Sequence, residues 1–153
     1  MDTSRRAELV IEALRYAVDL GFSEASVRMG EIAAHSTGNQ MYGVCCALAE
    51  SGRQTLIRMY GHPGPELLWA LIAPDPADGE PGDPARTFSL QFISAFANGD
   101  LKTCEALYVA AAKGSADDYA HALIALLGDV ANLARIEREE PAADQEAAPS
   151  HPH

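Results

Sequence analysis

The stretch AELVIEALRYAVD, residues 7–19, decides the fold class. Its apolar residues Ala7, Val10, Ile11, Leu14, Ala17 and Val18 recur at helical spacing. Glu8, Glu12, Arg15 and Asp19 fall on the other faces of a 3.6-residue period. A strand would alternate every second residue, and that pattern is missing here and almost everywhere else in the chain. The stretch predicts an amphipathic helix. Thr3 or Ser4 suits its start, and Gly21 suits a left-handed stop.

Working outward, the same period returns. A second helix is expected over about 26–36, with Val27, Ile32 and Ala33 facing inward. Gly38 ends it, and Asn39 can cap a third over 40–50, which carries Met41, Val44, Cys45 and Leu48 on one face. Ser51 and Gln54 have the capping-box spacing and predict a new helix through Leu56, Ile57 and Tyr60, stopped at Gly61 and Pro63. Pro65 suits the first turn of a short helix over 66–73, where a missing N–H costs nothing. Residues 74–85 hold Pro74, Pro76, Pro81 and Pro84 among Asp75, Asp78, Glu80 and Asp83, and predict a surface loop.

Three more helices follow. The first, over 86–98, turns Phe88, Phe92, Ile93 and Phe96 inward. The second, over 101–112, places Leu101, Cys104, Tyr108 and Ala111 on one face. The last starts at a Ser115–Asp118 capping box and runs through Leu123, Leu126, Leu127, Val130 and Leu133 to about Glu140. Residues 141–153 are Ala, Pro and acid without an apolar face, so a disordered acidic tail is expected there. The predicted architecture is all-α: a bundle of six or seven helices forming a single domain over residues 1–140.

Two segments look alike. Ile32-Ala-Ala-His-Ser-Thr-Gly38-Asn39 lies over Ile93-Ser-Ala-Phe-Ala-Asn-Gly99-Asp100, and the Ser51 box lies over the Ser115 box. The offset grows from 61 to 64 residues, nearly one helical turn, so the buried face is roughly preserved. The pattern predicts a helix–Gly-Asx–helix hairpin used twice. Its Gly-Asp turn resembles the turn of tetratricopeptide-type repeats. The period departs from that ~34-residue repeat, and the aromatic and Leu-Gly signature is missing.

Composition bounds the partners. The chain has 153 residues, 48% of them hydrophobic, enough for one self-sufficient core. Its net charge of -11 would repel a phosphate backbone, so no nucleic acid is expected as partner. The densest basic group, Arg5, Arg6 and Arg15, is interleaved with Glu8 and Glu12 and reads as a solvated face. No stretch has the ~18 consecutive apolar residues of a membrane span, and no signal-peptide pattern opens the chain. Cys45, Cys46 and Cys104 are odd in number and lack a C-x-x-C spacing, which points to a reducing, cytoplasmic setting. Few lysines beside many Ala, Gly, Pro and Arg residues suggest a bacterial source.

Candidate chemistry is sparse. Asp117, Asp118 and His121 share one helical turn, with Asp118 and His121 in the carboxylate–His spacing of di-metal bundles, and form the candidate metal face. No second such motif exists, and two aspartates in a first turn also suit the helix dipole. Glu31 and His35 stand one turn apart, but they lie over Phe92 and Phe96, so His35 reads as a helix-interface residue. Cys45 and Cys46 point about 100° apart on a helix and read as buried small residues rather than a redox pair. The acidic loop does not match a calcium-binding spacing. His151 and His153 end the tail and offer only adventitious metal contacts. Tyr42, Tyr60, His62 and Trp69 flank the Pro-rich corner as candidates for a pocket or a partner surface, with core closure by Trp69 the plainer reading.

The sequence thus predicts a non-enzymatic protein-interaction or regulatory module. Its partner is another protein, or itself as a homodimer through the first or last helix, and no cofactor is expected. The alternative is a small metal- or ligand-binding protein or enzyme using Asp117, Asp118 and His121.

Overall fold

The computed structural model describes residues 2–62 and 82–147, with side chains through 139. The expected helix over 66–73, Trp69, most of the 74–85 loop and the end of the tail with His151 and His153 lie outside the described residues. Six helices, and no strand, occur among the described residues: α1 (Thr3–Asp19), α2 (Phe22–Ala34), α3 (Gly38–Tyr60), α4 (Pro84–Ala97), α5 (Leu101–Ala112) and α6 (Ala116–Ala147). The fold is all-α.

Helix α1 is capped by Asp2, whose carboxylate accepts the Arg5 N–H at 2.7 Å, one residue earlier than the expected caps. It buries Leu9, Val10, Ala13 and Ala17. Ala7 and Ile11, expected inward, are exposed, because the buried stripe is turned toward the 9–13–17 line. Gly21, at φ 126°, turns the chain straight into α2, so that helix starts four residues before its expected position. Helix α2 buries Ala25, Met29 and Ile32 against α1, and Val27 faces out.

Helix α3 is one 23-residue helix where two shorter ones were expected. Ser51 caps nothing: its carbonyl accepts the Thr55 hydroxyl at 3.0 Å in mid-helix. Gly52 is buried, and a Cβ there would sit 3.5 Å from Val130 and 3.6 Å from Ile93. The glycine that reads as a break is where α4 and α6 approach α3, and packing outweighs its ~1 kcal/mol propensity cost. At the other end Thr37, not Asn39, caps α3. Its hydroxyl accepts the Gln40 N–H at 3.2 Å, and the Gln40 side chain accepts the Thr37 N–H at 2.8 Å.

The two matching turns are therefore built differently. Gly38 is the first residue of α3, whereas Gly99 takes φ 77° and Asp100 caps α5. Helix α4 packs on α5, but α2 packs on α1 rather than forming a hairpin with α3. Helix α4 itself begins inside the expected loop, at Pro84, with Asp83 accepting the Ala85 N–H at 3.0 Å.

Helix α6 is the spine, and all five other helices touch it. It sends Leu123, Leu126, Leu127 and Val130 into one core with Leu9, Ile32, Leu48, Leu56, Phe92 and Ile93. Each such side chain contributes roughly 1.5–3 kcal/mol of transfer free energy. Polar bolts hold its far half. The Arg135 guanidinium donates to the Ala17 carbonyl at 2.7 Å, where α1 leaves its last carbonyls free. Arg138 meets Asp19 at 2.6 Å, and Glu137 takes Arg58 at 2.6 and 3.0 Å. The helical backbone continues to Ala147, past the expected end near Glu140 and into the expected tail. Pro141 lies in the interior of this helix, where a proline lacks the N–H and its ring crowds the carbonyl four residues back at a cost of about 3 kcal/mol, which the helix-favouring Ala, Glu and Gln residues around it oppose. Among the described residues no helix is long and apolar enough to cross a membrane.

Candidate functional site

Helix α5 is the least embedded helix, and the site follows from that. It buries only Cys104 and Tyr108. Leu101, expected inward, is 55% exposed, and Val109 is 40% exposed. Its position is set by the Asp100 cap, which accepts the Thr103 N–H at 3.2 Å and hydroxyl at 2.6 Å. Held mainly against α4, it leaves an open groove of about 1000 Å³ toward α6 and the start of α2.

The groove walls are apolar: Phe88 from α4, Leu107 and Ala110 from α5, Ala122 and Ile124 from α6, and Phe22 from α2. The Phe22 ring has room because position 128 is glycine; a Cβ there would meet the ring at 2.8 Å. Asp83, Thr87, Gln91, Asp118 and His121 supply the polar lining, and no lysine or arginine takes part.

Of the sequence candidates, Asp118 and His121 line this groove, while Asp117 does not. All three are exposed, and Ser115 caps α6 by accepting the Asp118 N–H at 3.0 Å. No group of three or more His, Cys, Asp or Glu side chains able to hold a metal ion occurs among the described residues. His35 is exposed rather than at a helix interface, and Glu31 pairs with Arg28 at 3.9 Å. Its counterpart Phe96 packs against the core.

Tyr42, Tyr60 and His62 do not converge. Tyr42 and Tyr60 stand near opposite ends of the single α3, about 27 Å apart along its axis. Tyr60 and His62 are exposed. Tyr42 instead joins an interior aromatic cluster, edge-on to Tyr108 at 5.4 Å and to Phe92 at 6.3 Å. Tyr108 donates to the Gly38 carbonyl at 2.9 Å and accepts the Tyr119 hydroxyl at 2.7 Å, so a chain of two phenols ties α6 and α5 to the start of α3. Burial raises the pKa of all three phenols.

The thiols sit beside this cluster. Cys45 and Cys104 are buried, and burial pushes them up to about 12 and about 11. Cys46 is half-buried and also raised by burial. Thiols held protonated are poor nucleophiles, and Cys45 and Cys104 lie in the core with Cys46 packed against it. Asp129 is a further perturbed group. Burial raises its pKa against the opposing effects of Ser89 and of Arg86 at 3.8 Å, and its Oδ2 is buried without a hydrogen-bond partner among the described residues.

Sequence reasoning missed Phe22, Leu107 and Ile124 as groove residues. The signal was present but weak: each is apolar yet lies off the most buried stripe of its helix. The described residues are thus all-α, with a surface groove between α4, α5 and α6. Compared with known proteins, the chain matches no family model, no curated protein and no solved structure.

Proposed function

We propose that this protein is a non-enzymatic interaction module that docks a segment of another protein in the groove between α4, α5 and α6. One observation carries the reading: the groove is open and walled by apolar side chains from four helices. The accessible apolar side chains that line it, Phe22, Leu107 and Ile124 among them, are surface that a partner segment can cover. Small-molecule sites enclose most of their ligand, whereas an open groove beside a helix suits an extended or helical segment. The three free cysteines support a reducing, cytoplasmic setting for that partner.

Photo-crosslinking tests this. A photoreactive residue at Ala110 should capture one defined partner in the cells that make the protein. The same residue at Ala47, exposed on α3 away from the groove, should not. Capture from Ala47 alone, or from neither position, contradicts the proposal.

A second reading rests on Asp118 and His121 lining the same groove. A metal or ligand bound there would appear as a stoichiometric adduct in native mass spectrometry, lost on His121→Ala. The same spectrum reports whether a second copy of the chain is the partner.

A further inference from the structure

We infer that the segment docked in the groove is an amphipathic helix with lysine or arginine flanking its apolar face; this rests on the docking function proposed above. The walls dictate the apolar half. Phe22, Leu107 and Ile124 present apolar surface above the almost fully buried Phe88 and Ala122, and the small exposed Ala110 leaves room on the α5 wall for a partner's larger side chains. Helix α5 is 12 residues long, about 18 Å, so the wall it forms matches roughly three turns of a docked helix.

The polar lining dictates the charged half. Asp83 and Asp118 are its two carboxylates, and both are exposed. Asp83 spends one oxygen on the Ala85 N–H, which leaves the other for a partner. Among the described residues that line the groove there is no lysine or arginine, and the nearby Arg86 is turned to Asp129, so a cationic flank meets the two carboxylates. The chain as a whole carries -11, which steers cations toward it and opposes a second copy as occupant.

The test uses the full chain and two labelled four-turn peptides. One has leucines on one face and lysines beside them. Its twin carries glutamates in place of the lysines. Fluorescence anisotropy is read on the unaltered chain, on the Asp83→Asn/Asp118→Asn double variant and on Ala110→Trp, which fills the groove. Circular dichroism checks that each variant is folded. The lysine peptide should bind the unaltered chain and the glutamate twin should not. The double variant should weaken lysine-peptide binding by about tenfold and flatten its salt dependence. Ala110→Trp should abolish it. If both peptides bind equally and Ala110→Trp blocks both, the docking function stands and the charge inference falls. If the lysine peptide binds Ala110→Trp undiminished, it is held by diffuse surface charge, and the docking function falls with the inference. Binding of neither peptide overturns both.

Discussion

Asp129 shows how a single residue can work against its own fold. Its side chain is largely buried, Arg86 is 3.8 Å away, and Oδ2 has no hydrogen-bond partner among the described residues. Its folded pKa lies above the unfolded value, so the folded state binds the proton more tightly. The stabilisation from that proton is fully present below about pH 4 and is lost as pH rises through the folded pKa. Asn at this position carries no charge at any pH. Asp129→Asn should therefore be more stable than the unaltered chain at pH 7, with the gap closing as pH falls toward 4. Urea denaturation at the two pH values measures it, and a gap of the same size at both would contradict the account. Nothing in the sequence marked this residue. An aspartate near the middle of a helical period reads as a solvent-facing position, and only the neighbouring α4 makes it costly.

Glycines decide more at the scale of the element than their spacing suggests. Beyond Gly38 at the start of α3, four of them lie inside α2, α3 or α6 in different surroundings. Gly52 is a close-approach position, Gly128 makes room for Phe22, and Gly30 and Gly43 have open space where a Cβ would be. Gly43→Ala should raise stability by about 0.5–1 kcal/mol, since it removes a helix-propensity cost at an exposed site without a clash. Gly128→Ala gains the same propensity but must displace the Phe22 ring, so it should stabilise less and should alter the groove wall. Thermal unfolding of the two variants compares them directly. The same glycines explain what was legible. The stripes of α3, α4 and α6 at Met41–Val44–Cys45–Leu48, Phe88–Phe92–Ile93 and Leu123–Leu126–Leu127–Val130 are buried as their period implies. The break expected at Ser51-Gly52 is absent, because local sequence records a low propensity and not the neighbour that requires it. Val27 and Leu101 face out for a related reason: α2 and α5 each meet the core along a narrow line.

At the scale of the molecule, α6 organises everything else, and the groove exists because α5 does not close fully upon it. Periodicity shows which face of a helix is apolar but not which helix covers it. That is why the all-α class could be read from residues 7–19 and the groove could not. The candidate site was legible only in Asp118 and His121, and their meaning changes with the structure. They line an apolar groove with Asp83 rather than forming a metal cluster among the described residues. A groove that is the working surface must be where a docked segment perturbs the protein. Amide chemical-shift mapping with the lysine peptide tests it most directly. Shifts gathered on Phe88, Leu107, Ala110, Asp118, Ala122 and Ile124 are the predicted result. Shifts centred instead on the exposed Ile11 and Val27 of α1 and α2, or spread evenly over the acidic surface, would contradict it.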